Sequence, residues 1–290
     1  MAYVLNGCSN SSAKTAANKK AVVLAAVPGA SKGDFIQLGA QNMTSLRIAG
    51  LYGHNPLQNH ILASLPGEDF KRLQPHLEFV AMPFGMTVCE ADSPIRHIYF
   101  VTSCIVSLLH DMKDGSSAET AVIGNEGVLG ITLFMGGGKS LNRATVKSAG
   151  YGFRLKASIL LEEFARGGAL QQLLLRYTQA LITQMSQTAV CNRHHSVPQQ
   201  LCRSLLLTLD RLPDNEISVT QSAIAAMLGV RRESVAEAAG KLQEEGLIQY
   251  ARGHLTVLDR DGLEARACEC YHDLKHEHEC LAAPAEKKAS

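Results

Sequence analysis

The chain has 290 residues, of which 46% are hydrophobic and 19% charged, and its formal net charge at pH 7 is +1. These values are typical of an ordinary soluble protein with about two domains, and they exclude a disordered or strongly basic chain. No apolar run approaches the ~20 residues of a membrane-spanning helix, so we expect no membrane partner. The 8 cysteines follow no framework of spacings, which favours reduced thiols and a cytoplasmic protein.

The first segment, residues 1–48, is rich in Ser, Ala, Asn, Gly and Lys and shows no sustained hydrophobic period. Such a composition predicts a disordered N-terminal extension. Met43 is an alternative start within this segment, so the sequence leaves open whether residues 1–42 are translated.

Residues 49–168 contain short apolar runs separated by turn residues, after a helical approach that ends at about Leu77. Turns are expected at Gly85, Asp114-Gly115, Gly124 and Gly150. Many short strands with regular turn signals are typical of a β-sandwich or barrel, and this segment is predicted to be such a domain.

A long helix is predicted over residues 169–196, where apolar side chains recur at steps of three and four residues. Its stripe consists of Leu174, Tyr177, Leu181 and Met185. We expect this stripe to pack against the same helix of a second copy, because one β-domain leaves part of the apolar surface uncovered. The alternative, a helix buried within one chain, is compatible with the same periodicity.

Residues 197–272 carry the most informative pattern, in which two short helices are joined by a tight turn and followed by a β-hairpin. Thr220 caps the first helix, and Gly229 supplies the turn. The second helix is predicted to start at about Arg231 and to stop before Gly246. This is the pattern of a winged helix-turn-helix, whose second helix enters the major groove of DNA. The alternative is a helical hairpin with a β-ribbon that binds no nucleic acid.

Polar side chains on the exposed first turn of the second helix favour DNA binding. Arginine pairs bidentately with guanine, and glutamate accepts from the cytosine amino group. We predict that bases are read by Arg232, Glu233 and Ser234. Phosphate contacts are assigned to Thr220, Gln221 and Arg231, with assistance in the wing from Arg252 and His254. Because basic and acidic residues balance in this stretch, affinity should depend on dimerisation and on specific contacts to an inverted-repeat operator.

Five further motifs carry a family resemblance. They are IYF at Ile98–Phe100, SLL at Ser107–Leu109, GNEGVLG at Gly124–Gly130, NRATV at Asn142–Val146 and LGVRRESV at Leu228–Val235. Over roughly residues 50 to 272, the chain resembles the Crp–Fnr family of bacterial transcription regulators. The resemblance implies an α+β protein with an N-terminal antiparallel β-roll of the double-stranded β-helix or jelly-roll kind, a dimerisation helix and a C-terminal winged helix-turn-helix. It also implies double-stranded DNA, a second copy of the chain and RNA polymerase as partners.

Family members that bind a cyclic nucleotide hold its ribose and phosphate in a loop of the β-roll. The corresponding positions here include Gly127, Val128, Asn142, Arg143 and Ala144, with Ser186 on the long helix. Valine replaces the ribose-binding glutamate, and asparagine replaces the phosphate-binding arginine, whose charge-assisted bonds an amide cannot supply. We therefore expect an effector pocket for a small molecule other than cyclic AMP, or no effector.

The sequence predicts no cofactor and no enzymatic activity. Family members with an iron–sulfur cluster carry closely spaced N-terminal cysteines, whereas this chain has Cys8 alone there. No nucleophile–base pair or pair of carboxylates indicates an enzyme. Leu133 stands where a P-loop ending in Gly138-Lys139-Ser140 requires a glycine. Target genes and the sign of regulation stay open.

A cluster of cysteine and histidine residues near the C-terminus indicates an alternative function, a metal- or thiol-redox-sensing protein. Its members are Cys268, His272, His276 and Cys280 at four-residue steps, with Cys270 and His278 nearby. Ligands spread along one helix cannot close a tetrahedral site, so a metal would need two ligands from elsewhere. We predict a surface helix with its cysteines toward the domain, no metal site, and a flexible tail over residues 273–290.

Overall fold

The computed structural model describes residues 54–212 and 215–282, and side chains as far as residue 277. The extension predicted for residues 1–48 lies outside the described residues. The strands are β1 (Glu78–Met82), β2 (Thr87–Cys89), β3 (His97–Val101), β4 (Ile105–Asp111), β5 (Ser117–Ile123), β6 (Val128–Leu129), β7 (Arg143–Ser148), β8 (Gly150–Lys156), β9 (Glu216–Ser218), β10 (Ile248–Ala251) and β11 (His254–Val257). The α-helices are α1 (His60–Ala63), α2 (Gly67–Leu73), α3 (Ala157–Ala165), α4 (Ala169–His194), α5 (Val197–Leu209), α6 (Gln221–Leu228), α7 (Arg232–Glu244), α8 (Arg260–Arg266) and α9 (Glu269–Ala282).

Strands β1 to β8 form the N-terminal domain, which consists of two four-stranded sheets with the orders β1-β8-β3-β6 and β2-β7-β4-β5. All pairings within these sheets are antiparallel. Most strands that are neighbours in sequence lie in different sheets, which is the arrangement of a jelly roll. Buried residues of both sheets share one core, among them Phe100, Val106 and Ala144. The predicted α+β class and antiparallel β-roll are confirmed.

Helix α4 follows the β-roll and packs against β5. The side-chain oxygen Oε1 of Gln184 accepts a hydrogen bond from the backbone amide of Val122 at 2.6 Å. This contact satisfies a strand amide that would otherwise be buried without a partner. Among the described residues, no helix is both long and apolar enough to cross a membrane.

The C-terminal domain is built around α5. A capping box between Ser196 and Gln199 starts this helix, and Pro198 in its first turn adds no unsatisfied donor. The leucines of α5 pack with α6 to α9 and with a three-stranded sheet of order β10-β11-β9. The sequence predicts the hairpin β10–β11 but not β9, whose three residues are too few to show a period.

The two domains contact each other through a buried ion pair. Arg211, just after α5, places Nη2 2.7 Å from Oε1 of Glu126 in the β-roll, and the side chains are 3% and 12% exposed. Helix α6 also packs against β5. The helix-turn-helix therefore lies directly against the strand that α4 covers.

The flexible tail predicted from residue 273 is wrong as far as Ala282, because α9 continues to that residue. Leu274 and Tyr271 are 0% exposed and belong to the core of the C-terminal domain. Burial of these two side chains holds the helix against the domain, and residues 283–290 lie outside the described residues.

Candidate functional site

The helix-turn-helix consists of α6, a tight turn and α7. The hydroxyl Oγ1 of Thr220 accepts a hydrogen bond from the amide of Ala223 at 3.1 Å, which caps α6 as predicted. Gly229 ends α6 with φ +66°, a left-handed conformation that glycine adopts without steric cost. The turn directs α7 away from α6 and exposes its first residues.

The first turn of α7 presents the polar side chains that the sequence assigns to DNA. Arg231 occupies the N-cap position, and Arg231, Arg232 and Glu233 are exposed, whereas Ser234 is half-buried. Val235, at the next position, is 0% exposed and anchors the helix in the domain core. Within the described part of the chain, neither arginine side chain forms an ion pair, so both guanidinium groups are available to an anionic partner.

The wing is a hairpin with a two-residue turn. Arg252 and Gly253 have φ values of +50° and +83°, which is the conformation of a type I′ turn between paired Ala251 and His254. Arg252 is exposed at the tip. Nδ1 of His254 lies 3.3 Å from the hydroxyl of Ser218 in β9, so the unpredicted strand supports this wing residue.

Tyr250 and Gln243, which the sequence analysis did not single out, fix the wing relative to α7. Oε1 of Gln243 accepts a hydrogen bond from the amide of Tyr250 at 2.7 Å, and the Tyr250 hydroxyl donates to the carbonyl of Val219 at 2.8 Å. Burial raises the pKa of Tyr250, and the positive charge of Arg232 opposes that rise. The alternation of strand β10 shows that Tyr250 is inward-facing, but these non-local partners leave no sequence signal.

The middle of α7 carries an ion pair that reduces its charge. Lys241 Nζ lies 2.8 Å from Oε1 of Glu237, one helical turn away, and both side chains are largely exposed. The hydrogen bond from Lys241 lowers the pKa of Glu237. Glu237 therefore remains ionised near the arginines of the first turn, and the surface of α7 has little net positive charge.

The residues predicted to form an effector pocket fall into separate environments. Val128 and Ala144 are 0% exposed in the core between the two sheets. A Cβ atom at Gly127 would come within 2.5 Å of the Tyr177 ring, so only glycine fits beneath this side chain of α4. Ser186 is exposed on the opposite side of α4, which contradicts a role in a pocket of its own chain.

Arg143 and Asn142 lie outside that core. The Arg143 guanidinium forms a two-point contact with Asp111, with Nε–Oδ2 and Nη2–Oδ1 distances of 2.8 and 2.7 Å. This hydrogen bonding lowers the pKa of Asp111. Asn142 is exposed. The structure does not bring all these side chains together, because strand alternation directs Ala144 inward and Arg143 outward, and the effector pocket stays a prediction.

The stripe predicted as a dimer interface faces the chain's own β-roll instead. Leu174, Tyr177 and Leu181 are 0%, 4% and 3% exposed and belong to the core of the N-terminal domain, and Met185 is half-buried against it. The β-roll covers this face because α4 packs against β5 and places these side chains in the core that the two sheets share. A second apolar face remains exposed, with Leu175, Ile182 and Val190 at 50%, 45% and 49%.

The C-terminal cysteines Cys268 and Cys270 lie close to Cys191 and His195, two residues that the sequence did not associate with them. Cys268 and Cys270 are buried toward the domain, as predicted, whereas His272 and His276 are exposed. Cys268 Sγ lies 3.6 Å from Sγ of Cys191 in α4. The hydrogen bond from Cys191 lowers the pKa of Cys268 to about 6, although burial acts in the opposite direction. The predicted four-residue stripe is therefore not the group that converges.

Comparison with known proteins places these features in a family context. Residues 199–266 match the family model of the Crp-like helix-turn-helix domain. A protein from Eubacterium rectale assigned to the Crp/Fnr family of transcriptional regulators gives a TM-score of 0.58 at 17% identity, covering 73% of this chain and 97% of its own. No curated protein sequence matches the chain.

Two further solved structures have the same architecture. FixK2 from Bradyrhizobium japonicum gives a TM-score of 0.55 at 16% identity, covering 66% of this chain and 98% of its own. The c-di-GMP responsive regulator CLP from Xanthomonas campestris gives 0.55 at 17%, covering 66% of this chain and 99% of its own. The resemblance predicted from the motifs is confirmed: the chain carries a Crp-like helix-turn-helix domain within the fold of the Crp/Fnr transcriptional regulators.

Proposed function

We propose that the protein is a sequence-specific DNA-binding transcription regulator of the Crp–Fnr type, which acts as a homodimer in the cytoplasm and has no enzymatic activity. The observation that carries this proposal is the exposed first turn of α7, where Arg231 and Arg232 have no ion pair within the described residues. Guanidinium groups at the start of a recognition helix are suited to phosphates and guanine edges. RNA polymerase is a further partner in this proposal.

The DNA contacts divide into three groups. Arg232 and Glu233 read base edges in the major groove, with a smaller contribution from half-buried Ser234. Thr220, Gln221 and Arg231 hold phosphates near the start of the two helices. In the wing, Arg252 and His254 contact the backbone beside the recognition helix.

The exposed face of α4 supports dimerisation through this helix. Leu175 and Ile182 lie two helical turns apart, and Val190 continues the same side of the helix. Three large apolar side chains in one exposed stripe favour a partner of the same kind, because a two-fold axis along α4 pairs each stripe with its copy. Such a dimer presents two α7 helices to one duplex.

Selection of bound sequences from random DNA by the purified protein tests this proposal. We expect an inverted repeat whose half-site centres lie about one helical turn, ~34–36 Å, apart. Enrichment of a single half-site would contradict the dimer, and failure to enrich any sequence would contradict sequence-specific binding. The selection should be run at more than one salt concentration, because the balanced charge of the domain predicts a modest salt dependence.

Any effector of the β-roll is expected to be a small molecule other than cyclic AMP. Arg143 already pairs with Asp111, and Val128 offers no polar group to a ribose. Titration calorimetry with cyclic AMP should therefore show no binding at micromolar concentration. The Asp111→Asn variant, which weakens the ion pair with Arg143, should also show no binding of cyclic AMP. A polar group that contacts the ribose is still missing from this variant. A dissociation constant below ~10 μM, which corresponds to about 7 kcal/mol, would contradict this expectation.

A further inference from the structure

Four potential metal ligands from three segments converge where the long helix ends. Cys191 lies in the last turn of α4, His195 directly follows that helix, and Cys268 and Cys270 flank the first residue of α9. Their ligand atoms all lie within 4.8 Å of one another. The Cys191 and Cys268 Sγ atoms are 3.6 Å apart, and Cys270 Sγ is 3.5 Å from Nδ1 of His195.

The separations of 3.6 and 3.5 Å match two edges of a tetrahedral zinc site, and a shift of about 1 Å would bring the longest separation, at most 4.8 Å, to the same length. With bonds of ~2.3 Å to sulfur and ~2.0 Å to nitrogen, a tetrahedron places two sulfurs about 3.8 Å apart and a sulfur and a nitrogen about 3.5 Å apart. Three cysteines and one histidine are a ligand set that closes a structural zinc site. We propose that Cys191, His195, Cys268 and Cys270 together bind one zinc ion.

The surroundings supply the outer contacts that such a centre uses. Nε2 of His195 lies 3.3 Å from Oε1 of Glu269, so the carboxylate orients the ring that presents Nδ1 to the metal. Arg203 is 4% exposed, and its charge acts on Cys191. The Nε atom of Arg203 has no hydrogen-bond partner among the described residues. A zinc ion with three thiolates carries a net negative charge, which this buried guanidinium offsets.

A disulfide between Cys191 and Cys268 is the main competing explanation. Bonded sulfurs are ~2.05 Å apart, whereas the observed separation of 3.6 Å is that of two ligands of one ion. A disulfide also gives no role to Cys270 and His195, which complete the same cluster. The short distances among all four atoms favour a single ion over an iron–sulfur cluster, which interposes several atoms between its ligands.

The position of the zinc ion suggests how it acts on DNA binding, a consequence that rests on the proposed function. Helix α4 ends at His194 and α5 begins at Val197, so His195 places the cluster at the connection between the long helix and the DNA-binding domain. A zinc ion bound there joins the end of α4 to the start of α9, in addition to the covalent connection between α4 and α5. Each recognition helix is thereby held in one orientation relative to the dimer axis, and loss of zinc should weaken operator binding.

Metal analysis of the full-length protein, purified with reductant and without chelator, should give about one zinc per chain. Cobalt substitution should give the absorption bands of tetrahedral thiolate coordination. Cys270→Ser should lose at least ~10-fold in zinc affinity, because the site then lacks one thiolate. The matched controls are Cys202→Ser, a buried cysteine of the same domain outside the cluster, and His272→Asn on the exposed side of α9. Both controls should retain zinc.

Three results would overturn the zinc site. The first is unmodified protein that takes up no zinc on reconstitution and gives no tetrahedral cobalt spectrum, a measurement that does not depend on whether Cys270→Ser folds. The second is a Cys191–Cys268 disulfide, seen as a mass lower by two hydrogens, in protein kept with reductant and zinc. The third is equal loss of zinc in His272→Asn and Cys270→Ser, which would show that the zinc ligands lie on the exposed face of α9.

Operator binding before and after zinc removal separates the two proposals. Weaker binding by the zinc-free protein, restored by added zinc, is the expected result. Protein that binds zinc but selects no DNA sequence would contradict the proposed function and leave the site intact. Protein that selects an operator but binds no zinc would contradict the site alone.

Discussion

Replacing Arg232 with alanine is expected to weaken binding to the selected operator by ~1–3 kcal/mol, about 5- to 150-fold, and to change binding to random DNA far less. Arg232 is exposed on the first turn of α7, and no ion pair within the described residues holds its guanidinium. Its loss removes a bidentate contact to a base but leaves the helix anchored by Val235, which is 0% exposed. Fluorescence anisotropy on the two DNA sequences measures the difference.

Arg231→Ala is the matched control for this prediction. Arg231 is the neighbouring exposed arginine, and its N-cap position assigns it to a phosphate. Its replacement should weaken binding about equally on operator and random DNA and reduce the slope of log affinity against log salt by ~1. If Arg232→Ala behaves in the same way as Arg231→Ala, Arg232 contacts phosphate and does not read a base.

Replacing Ile182 with glutamate is expected to give a folded monomer that no longer binds its operator specifically. Ile182 is 45% exposed in the centre of the apolar face of α4. In a dimer along this face, the two glutamates would meet near the two-fold axis, where burial of like charges is strongly unfavourable. The monomer retains one recognition helix, whose nearly neutral surface gives little affinity on its own. Sedimentation measures the loss of the dimer, and titration with the operator measures the loss of specific DNA binding.

The control for Ile182→Glu is Leu161→Glu, which places the same charge at an apolar position, 41% exposed, on a different helix, α3. It should remain dimeric. Leu181→Glu does not test dimerisation, because Leu181 is 3% exposed in the core of its own chain and the variant should unfold. An Ile182→Glu protein that stays dimeric at low micromolar concentration would place the interface elsewhere and remove the basis for the inverted repeat.

The helix-turn-helix could be predicted closely because its signals are local. The hydroxyl cap of Thr220 and the left-handed turn at Gly229 each depend on a few neighbouring residues. The left-handed φ values of Arg252 and Gly253 likewise belong to a local turn, which joins the two strands of the predicted hairpin. Strand β9 escaped prediction because its three residues are defined by pairing with β11 across a long stretch of chain.

The predictions for α4 and for the C-terminal cysteines differ from the structure in which surface covers a given side chain. Periodicity showed that α4 has an apolar stripe, but it does not distinguish the β-roll from a second chain as the partner of Leu181. The spacing of Cys268 and His272 suggested a common face, whereas Cys268 meets Cys191 from a different helix. Such associations are set by tertiary packing, and a single sequence carries little trace of them.

The buried ion pair between Glu126 and Arg211 makes the alignment of the two domains selective while adding little to the strength of their contact. Both side chains lose hydration when the domains meet, and their mutual attraction roughly offsets that loss. When the domains separate, both charges regain water, so the ion pair itself adds little to the free energy of opening. Any other register would bury the carboxylate away from the guanidinium, which is unfavourable. The ion pair thus favours one alignment of the two domains over others, while the packing of α6 against β5 supplies the rest of the contact.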